Sequence, residues 1–231
     1  MTDSMLGPYT LGFNDTDECG IYTGDARELA KAIPDESVDL IFTDPIYDRI
    51  EDYRWLAETA ARVLRADGSL LVFCGIGYIP ETHDALRVPG LSYRWRLVVR
   101  PVNAKQFSGR LLITSQEVLW YERNGGKLYA PVFDVQMSTK KGNYARNGGN
   151  WGKGIDALAR YVMAFTNSTS VILDPFSGSG SISAEAKTQG RNYLAFEIEP
   201  DVADMARDRV RNTQPPLFVS GPESTQLELL T

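Results

Sequence analysis

Short apolar runs that do not alternate with polar residues most constrain the fold of this chain. VDLIFT (38–43), SLLVFC (69–74) and VIL (171–173) are mainly apolar along their whole length. Strands buried on both faces have this pattern, because helices cover both sides of a parallel sheet. Segments with helical periodicity separate such runs, at 26–33, 52–64, 155–165, 181–188 and 201–211, and Gly68 is expected to stop the helix at 52–64. The alternation predicts an α/β fold with a doubly wound, Rossmann-like, mostly parallel sheet.

Two further candidate strands, at 93–99 and 117–121, predict an antiparallel strand pair at one edge of the sheet. After them, 124–153 is a long segment rich in Gly, Asn and Lys, and a loop of this length in a compact domain is usually functional. We therefore expect a single domain over 1–231, with 124–153 as an inserted basic loop and 213–231 as a tail.

Composition excludes several classes of protein. The chain has 231 residues, no apolar run of eighteen and no secretory signal pattern at its start, so we expect a cytoplasmic protein without membrane contact. Cys19 and Cys74 are too few for a metal-binding quartet, and Cys74 is predicted to be a buried thiol. His83 is the single histidine. We therefore expect no metal site and no Ser–His hydrolase, with His83 exposed on a helix.

Positive charge is concentrated in one part of an acidic chain. The net charge is −6, yet residues 85–155 hold twelve Lys and Arg against three acids, while the rest holds twelve against twenty-seven. Such asymmetry predicts a phosphate-binding face. A solvated loop region with chance clustering is the alternative.

The glycine-rich segment DPFSGSG (174–180) follows the apolar run VIL and precedes a helix. Gly178 and Gly180 let the backbone approach a ligand closely, and cofactors bind at such strand-to-helix turns. The spacing is neither the dinucleotide GxGxxG pattern nor a phosphate loop. The next strand ends in Glu197, which is placed to hydrogen-bond ribose hydroxyls. Together these features predict a nucleoside-containing cofactor. The alternatives are a merely structural turn for the glycine-rich segment and a solvent-exposed acid for Glu197.

The second motif, DPIY, follows the run VDLIFT. The Asp44 carboxylate and the Pro45 carbonyl can accept two amino N–H bonds, and Tyr47 can stack on a ring. These residues therefore suit a flat amine at the carboxyl end of a strand. A four-residue match also arises by chance.

DPIY resembles the D-P-P-Y catalytic motif of amino-directed DNA methyltransferases, and DPFSGSG resembles their cofactor loop. Because DPIY comes first, the chain is similar to the β class of N6-adenine and N4-cytosine DNA methyltransferases, whose motifs are circularly permuted. The resemblance covers about 21–75 and 117–211. It implies S-adenosylmethionine as cofactor and DNA as partner, with RNA, a homodimer or a partner subunit also open.

The resemblance also implies roles for individual residues. Asp44 and the Pro45 carbonyl would hold the target amine, and Tyr47 would stack on the target base. Two departures are Ile46, where the family has proline, and the H-P-x-x-K-P motif, of which only Lys153 matches. The residues implied to bind the cofactor are Gly24, Asp25, Asp174, Pro175, Phe176, Ser177, Gly178, Ser179, Gly180, Glu197 and Ile198.

The function implied is site-specific methylation of adenine N6 after base flipping, as in restriction–modification, with 124–153 as a small target-recognition region. Tyr144 and Trp151 would stack there or pack the loop. Alternatives are N4-cytosine methylation, RNA base methylation and a catalytically weak partner subunit; a Rossmann oxidoreductase would leave DPIY without a role. The residues expected to contact nucleic acid are Lys105, Arg110, Lys140, Lys141, Arg146 and Lys153.

Overall fold

The structure is a computed structural model, and it describes residues 5–12, 20–100, 106–108, 111–138 and 155–214. Numbered along the chain, the strands are β1 (Met5–Leu6), β2 (Tyr9–Thr10), β3 (Ile21–Thr23), β4 (Val38–Thr43), β5 (Leu64–Cys74), β6 (Ser92–Arg100), β7 (Gln106–Ser108), β8 (Leu111–Ile113), β9 (Gln116–Glu122), β10 (Val135–Met137), β11 (Val171–Asp174) and β12 (Asn192–Glu197). The α-helices are α1 (Ala26–Leu29), α2 (Ile50–Val63), α3 (Ile79–Ala85), α4 (Ile155–Phe165), α5 (Ser181–Thr188) and α6 (Pro200–Arg211).

Eight strands form one sheet in the order β10-β6-β9-β5-β4-β11-β12-β3. Within the described strands of this sheet, β9 alone runs antiparallel to its neighbours, β5 and β6, and the other pairs are parallel. The predicted mostly parallel α/β sheet, with antiparallel pairing towards one edge, is confirmed. β1 with β2, and β7 with β8, form two separate hairpins.

Helices cover both faces of the sheet, which explains the unbroken apolar runs. On one face Ile41 of β4 packs with Leu56 of α2, and on the other Phe42 packs with Leu158 of α4. All four side chains have no exposed surface. Burying a side chain of this size contributes roughly 1.5–3 kcal/mol. None of the described helices is long and apolar enough to span a membrane.

Two local predictions differ from the structure. Gly68 does not stop a helix: α2 ends at Val63 and β5 already begins at Leu64, so Gly68 lies within the strand. A Cβ at Gly68 would stand 3.1 Å from the carbonyl oxygen of Asp39, which explains the glycine at that point. His83 is half-buried, and its Nδ1 lies 2.6 Å from the hydroxyl of Tyr121, because α3 packs over β9.

The described part of the predicted irregular segment 124–153 contains a strand of the sheet, β10. β10 pairs in parallel with β6, and Leu128 and Val132 pack against the core. β10 has three residues, of which only the middle one, Gln136, is buried. An alternation this short does not predict a strand. Residues 139–153 of the segment lie outside the described residues, as does 215–231 of the predicted tail.

Candidate active site

Both sequence motifs emerge at one edge of the sheet. We call this the carboxyl edge: the last residues of β3, β4, β5, β11 and β12 together with the first residues of antiparallel β9. β4 and β11 are neighbours, with Leu173 opposite Ile41. Asp44 and the segment that starts at Asp174 therefore leave the sheet on adjacent strands. Ligands of open α/β sheets bind at this edge.

A hydrogen bond joins the two motifs directly. The hydroxyl of Thr43 donates to Oδ1 of Asp174 at 2.7 Å, and the same oxygen accepts the N–H of Phe176 at 3.2 Å. Thr43 is fully buried and Asp174 nearly so. Because Asp44 follows Thr43, this bond fixes the start of DPIY relative to the glycine-rich turn. Thr43 was not among the site residues expected from the sequence, and its signal there is a hydroxyl at the end of a buried apolar run.

Within DPIY, Pro45 is buried, Asp44 and Tyr47 are half-buried, and Ile46 is exposed. The Tyr47 hydroxyl lies beside the Asp44 carboxylate, and burial followed by the charge of Asp44 raises the pKa of Tyr47 far above that of a free tyrosine. The Tyr47 ring lies against Gly75 after β5, where a Cβ would stand 3.0 Å from Cδ2 of the ring. Tyr47 is therefore a neutral donor with a fixed ring.

The two glycines of the glycine-rich turn have different surroundings. At Gly180, with φ +73°, a Cβ would stand 3.0 Å from the Cβ of Ala206, so the turn packs tightly against α6. At Gly178, with φ +51°, no atom of the described residues other than its chain neighbours lies within 4 Å of a Cβ position. The backbone of Gly178 is open to a ligand, whereas Gly180 is required by packing.

Glu197 connects three of the predicted cofactor-binding segments. Its Oε2 accepts the N–H of Gly178 at 2.8 Å, and its carbonyl oxygen accepts the N–H of Gly24 at 2.9 Å. Asp25 caps α1 by accepting the N–H of Arg27 at 2.8 Å. The structure thus brings the ends of β3, β11 and β12 together. Both oxygens of the Glu197 carboxylate already accept a backbone N–H, since Oε1 accepts that of Glu199 at 2.9 Å, which the sequence did not indicate.

Four features fit these residues to a nucleoside cofactor. Gly178 offers open backbone, as above. Ser177 Oγ is buried and has no hydrogen-bond partner among the described residues, and buried polar atoms normally have one. Ile198, directly after Glu197, is 60% exposed and presents an apolar surface for a flat ring. The ring of Phe176 is held edge-on by Trp55 of α2, with centroids 5.7 Å apart.

The predicted nucleic-acid contacts, Lys105, Arg110, Lys140, Lys141, Arg146 and Lys153, all lie outside the described residues, as do Tyr144 and Trp151. On the described part, Arg94 and Arg96 of β6 are exposed cations with acidic neighbours on β9. Arg94 Nε lies 4.0 Å from Glu122 Oε2, and Arg96 Nη1 lies 3.5 Å from Glu117 Oε2.

Known proteins match this chain both in sequence and in fold. The family model for N6/N4 methyltransferases, described as DNA methylase, matches residues 38–208. The type II methyltransferase M.ScaI of Streptomyces caespitosus is 26% identical over 264 aligned positions, covering 89% of this chain and 86% of that protein.

Solved structures share the fold. A complex of M1.HpyAVI with SAM superposes with a TM-score of 0.71 at 22% identity, covering 82% of this chain and 98% of that one. The PvuII DNA methyltransferase, which is cytosine-N4-specific, superposes with a TM-score of 0.70 at 16% identity, covering 82% and 85%.

Proposed function

Because the chain belongs to the DNA methylase family that methylates exocyclic amino groups, we propose that its target atom is N6 of adenine in DNA, presented by base flipping. S-adenosylmethionine is the cofactor, and when bound it supplies an electrophilic methyl group. The observation that carries the proposal is the hydrogen bond from Thr43 to Asp174, because it fixes Asp44 beside the segment that would hold the cofactor.

Asp44 and Pro45 would hold the amine. One N–H of the amine donates to the Asp44 carboxylate and the other to the Pro45 carbonyl, which aims the nitrogen at the methyl group. The carboxylate also stabilises the positive charge that develops on nitrogen. Positioning and preorganised charge of this kind account for much of enzymatic rate enhancement. Tyr47 lies beside Asp44, so its hydroxyl would donate to the carboxylate and hold it in place, and the exposed part of its ring would contact the base.

The choice of adenine rests on the acid of DPIY, since an acid at position 44 leans towards adenine in the β class that the chain resembles. Cytosine N4 is the second candidate, and the cytosine-specific PvuII enzyme has the same fold. Both amines can donate two N–H bonds to the same acceptors. The identity of the methylated nucleoside therefore decides between them.

The proposal includes base flipping because Asp44 is half-buried at the sheet edge and cannot reach an amine inside a duplex. Extruding a base costs a few kcal/mol. Phosphate contacts from 124–153 and from the six basic residues named above would offset that cost. A DNA substrate agrees with the cytoplasmic location expected from composition. RNA methylation and a role as partner subunit are the other outcomes that an assay must separate.

The test is transfer of labelled methyl from S-adenosylmethionine to unmethylated duplex DNA and, in parallel, to RNA, followed by nucleoside analysis. We expect N6-methyladenine from DNA. N4-methylcytosine would refute the adenine assignment, and label in RNA alone would refute DNA as substrate. Cofactor binding without any transfer would favour a partner subunit.

Matched variants sharpen the assay. Asp44→Asn should abolish transfer while the Kd for S-adenosylmethionine stays within about twofold, because Asp44 holds the amine. Asp48→Asn removes an exposed carboxylate from the same turn and should keep full transfer. Equal loss of cofactor binding and transfer in Asp44→Asn would mean that Asp44 does not act on the amine.

A further inference from the structure

We propose that Arg96 and Glu117 form a positioning pair for the target strand, in which Arg96 binds the phosphate of the target nucleotide and Glu117 orients the Arg96 guanidinium. The inference rests on the proposed function, since it takes DNA as the substrate and Asp44 as the residue that holds the amine. It places a phosphate contact on β6 and β9, apart from the six basic residues expected from the sequence.

The pair lies on the target side of Asp44. Thr43 of β4 pairs with Val72 of β5, and Cys74 of β5 pairs with Glu117 of β9. Glu117 is thus two strands from Asp44 at the carboxyl edge, about 10 Å at the usual strand spacing. The cofactor-binding segments follow β11, β12 and β3, on the other side of β4. A base held at Asp44 opposite the cofactor would have its backbone on the side of β5, β9 and β6.

The buried thiol of Cys74 lies between Asp44 and the ion pair of Glu117 with Arg96, and its electrostatics agree with that position. Burial, then the carboxylate of Glu117, raises the pKa of the Cys74 thiol to about 12; Arg96 opposes the rise and Asp44 adds to it. One buried thiol therefore lies within electrostatic reach of all three charged groups. Cys74 lies opposite Glu117, and Arg96 lies opposite Leu119, two residues along β9 from Glu117.

Glu117 is a buried carboxylate that uses only part of its capacity to accept hydrogen bonds. Its side chain is 3% exposed, and the adjacent Val118 and Leu119 are fully buried. Oε1 accepts the Ser115 hydroxyl at 3.1 Å, whereas Oε2 accepts no hydrogen bond within the described part of the chain and has only the ion pair with Arg96 at 3.5 Å. Burying a carboxylate is costly, and well-packed apolar residues often replace buried ion pairs without loss of stability. A role in orienting Arg96 accounts for an acid at this site.

Arg96 is a half-exposed cation beside this buried acid. Its side chain is 53% exposed while Nη1 faces Glu117. The guanidinium fork binds phosphate with two parallel hydrogen bonds, and a fixed fork loses less entropy on binding than a free one. From 85 to 116 the sequence contains no acid, so β6 itself carries no negative charge.

The test is the salt dependence of binding to a fluorescently labelled duplex, with the Kd for S-adenosylmethionine measured alongside. Arg96→Ala should weaken DNA binding about tenfold and reduce the slope of log K against log salt by about one, the loss of one phosphate contact. Glu117→Gln should weaken binding about threefold. The double variant should equal Arg96→Ala, because Glu117 acts through Arg96. Cofactor affinity should stay within about twofold in all three.

Arg94 and Glu122 are the matched controls, because they link the same two strands at the opposite end of β9. Arg94→Ala and Glu122→Gln should leave the salt slope unchanged. Thermal unfolding of each variant shows whether it folds. Since Arg96→Ala leaves Glu117 without its cation, Arg96→Lys is the second probe: it keeps the charge and the slope but loses the fork, so binding should weaken severalfold.

Three results would overturn the pair: a folded Arg96→Ala with wild-type Kd and slope, equal losses in Arg94→Ala and Arg96→Ala, or losses that multiply in the double variant. Different results would contradict the proposed function and the proposed pair. Arg96-dependent DNA binding without methyl transfer would contradict the methylation proposal and support this site, whereas DNA methylation that is indifferent to Arg96 would do the reverse.

Discussion

The hydroxyl of Thr43 and the carboxylate of Asp174 meet in a buried hydrogen bond of 2.7 Å, although 131 residues separate them in the chain. Thr43 precedes the amine-holding motif and Asp174 begins the glycine-rich turn. The bond therefore sets the distance between the two halves of the site. Neither residue needs to contact the target base for this bond to affect the reaction.

Thr43→Val should weaken both stability and transfer. The substitution keeps the shape of the side chain but removes the 2.7 Å hydrogen bond to Asp174 Oδ1, and loss of a buried hydrogen bond to a carboxylate costs about 2 kcal/mol. We expect that loss in urea unfolding, together with a lower kcat. Thr59→Val, a buried threonine on α2, is the control and should keep wild-type kcat. A wild-type kcat in Thr43→Val would mean that the bond does not align the site.

Alanine at the two glycines of the turn should separate binding from packing. Both positions have positive φ, which costs about 1 kcal/mol for alanine. Gly180→Ala adds a clash with Ala206, so we expect a total loss of about 3 kcal/mol in unfolding free energy. Gly178→Ala has no such clash, but its methyl group stands where the cofactor would approach, and the cofactor Kd should rise about tenfold.

Calorimetry with S-adenosylmethionine and chemical denaturation distinguish the two glycine variants. If Gly178→Ala lost stability as severely as Gly180→Ala while binding the cofactor normally, the open side of Gly178 would not be the cofactor surface.

The central strands were predictable because burial on both faces leaves a local trace in the sequence. β4, β5 and β11 each appear as continuous apolar runs, and their helices appear through their periodicity. β10 left no such trace: it has three residues, and its place is set by parallel pairing with β6. Gly68 was misinterpreted because close backbone approach and helix termination both select glycine.

The site was predictable only as far as its motifs are local. DPIY and DPFSGSG are contiguous in sequence, so their residues could be named. Their contact through Thr43 depends on β4 and β11 being neighbours, which no local pattern specifies. The pairing of Arg96 with Glu117 likewise depends on the antiparallel register of β6 and β9. Charge counts identified the basic region but not which of its cations has a buried acid behind it.

Alkaline pH should destabilise the protein through Cys74. Its pKa is raised from 9.0 to about 12 in the folded state, so between these values the unfolded chain releases a proton that the folded chain retains. The protein therefore keeps its full unfolding free energy below pH 9. Above pH 9 this free energy falls by about 1.4 kcal/mol per pH unit for one such group. Tyr47 adds to the fall above pH 10, since its pKa is also raised.

Cys74→Ala isolates the contribution of the thiol, because the buried tyrosines are common to both proteins. The difference in unfolding free energy between wild type and Cys74→Ala should be constant from pH 7 to 8 and should change by about 1.4 kcal/mol from pH 9.5 to 10.5, with wild type losing more. Parallel curves over the whole range would contradict a raised pKa for Cys74.

Ile46→Pro should be tolerated and should raise kcat. Ile46 is 57% exposed, and no described residue accepts a hydrogen bond from its N–H, so proline removes neither packing nor a bond. Its carbonyl accepts the N–H of Arg49 at 3.1 Å, a contact that proline keeps. Proline fixes φ directly after the Pro45 carbonyl, which should hold that acceptor more rigidly towards the amine.

Ile46→Ala removes the same side chain without fixing φ and should leave kcat near wild type. Initial rates at saturating cofactor measure the difference, and a fall in kcat for the proline variant in a protein of unchanged stability would show that the turn needs the freedom that isoleucine allows.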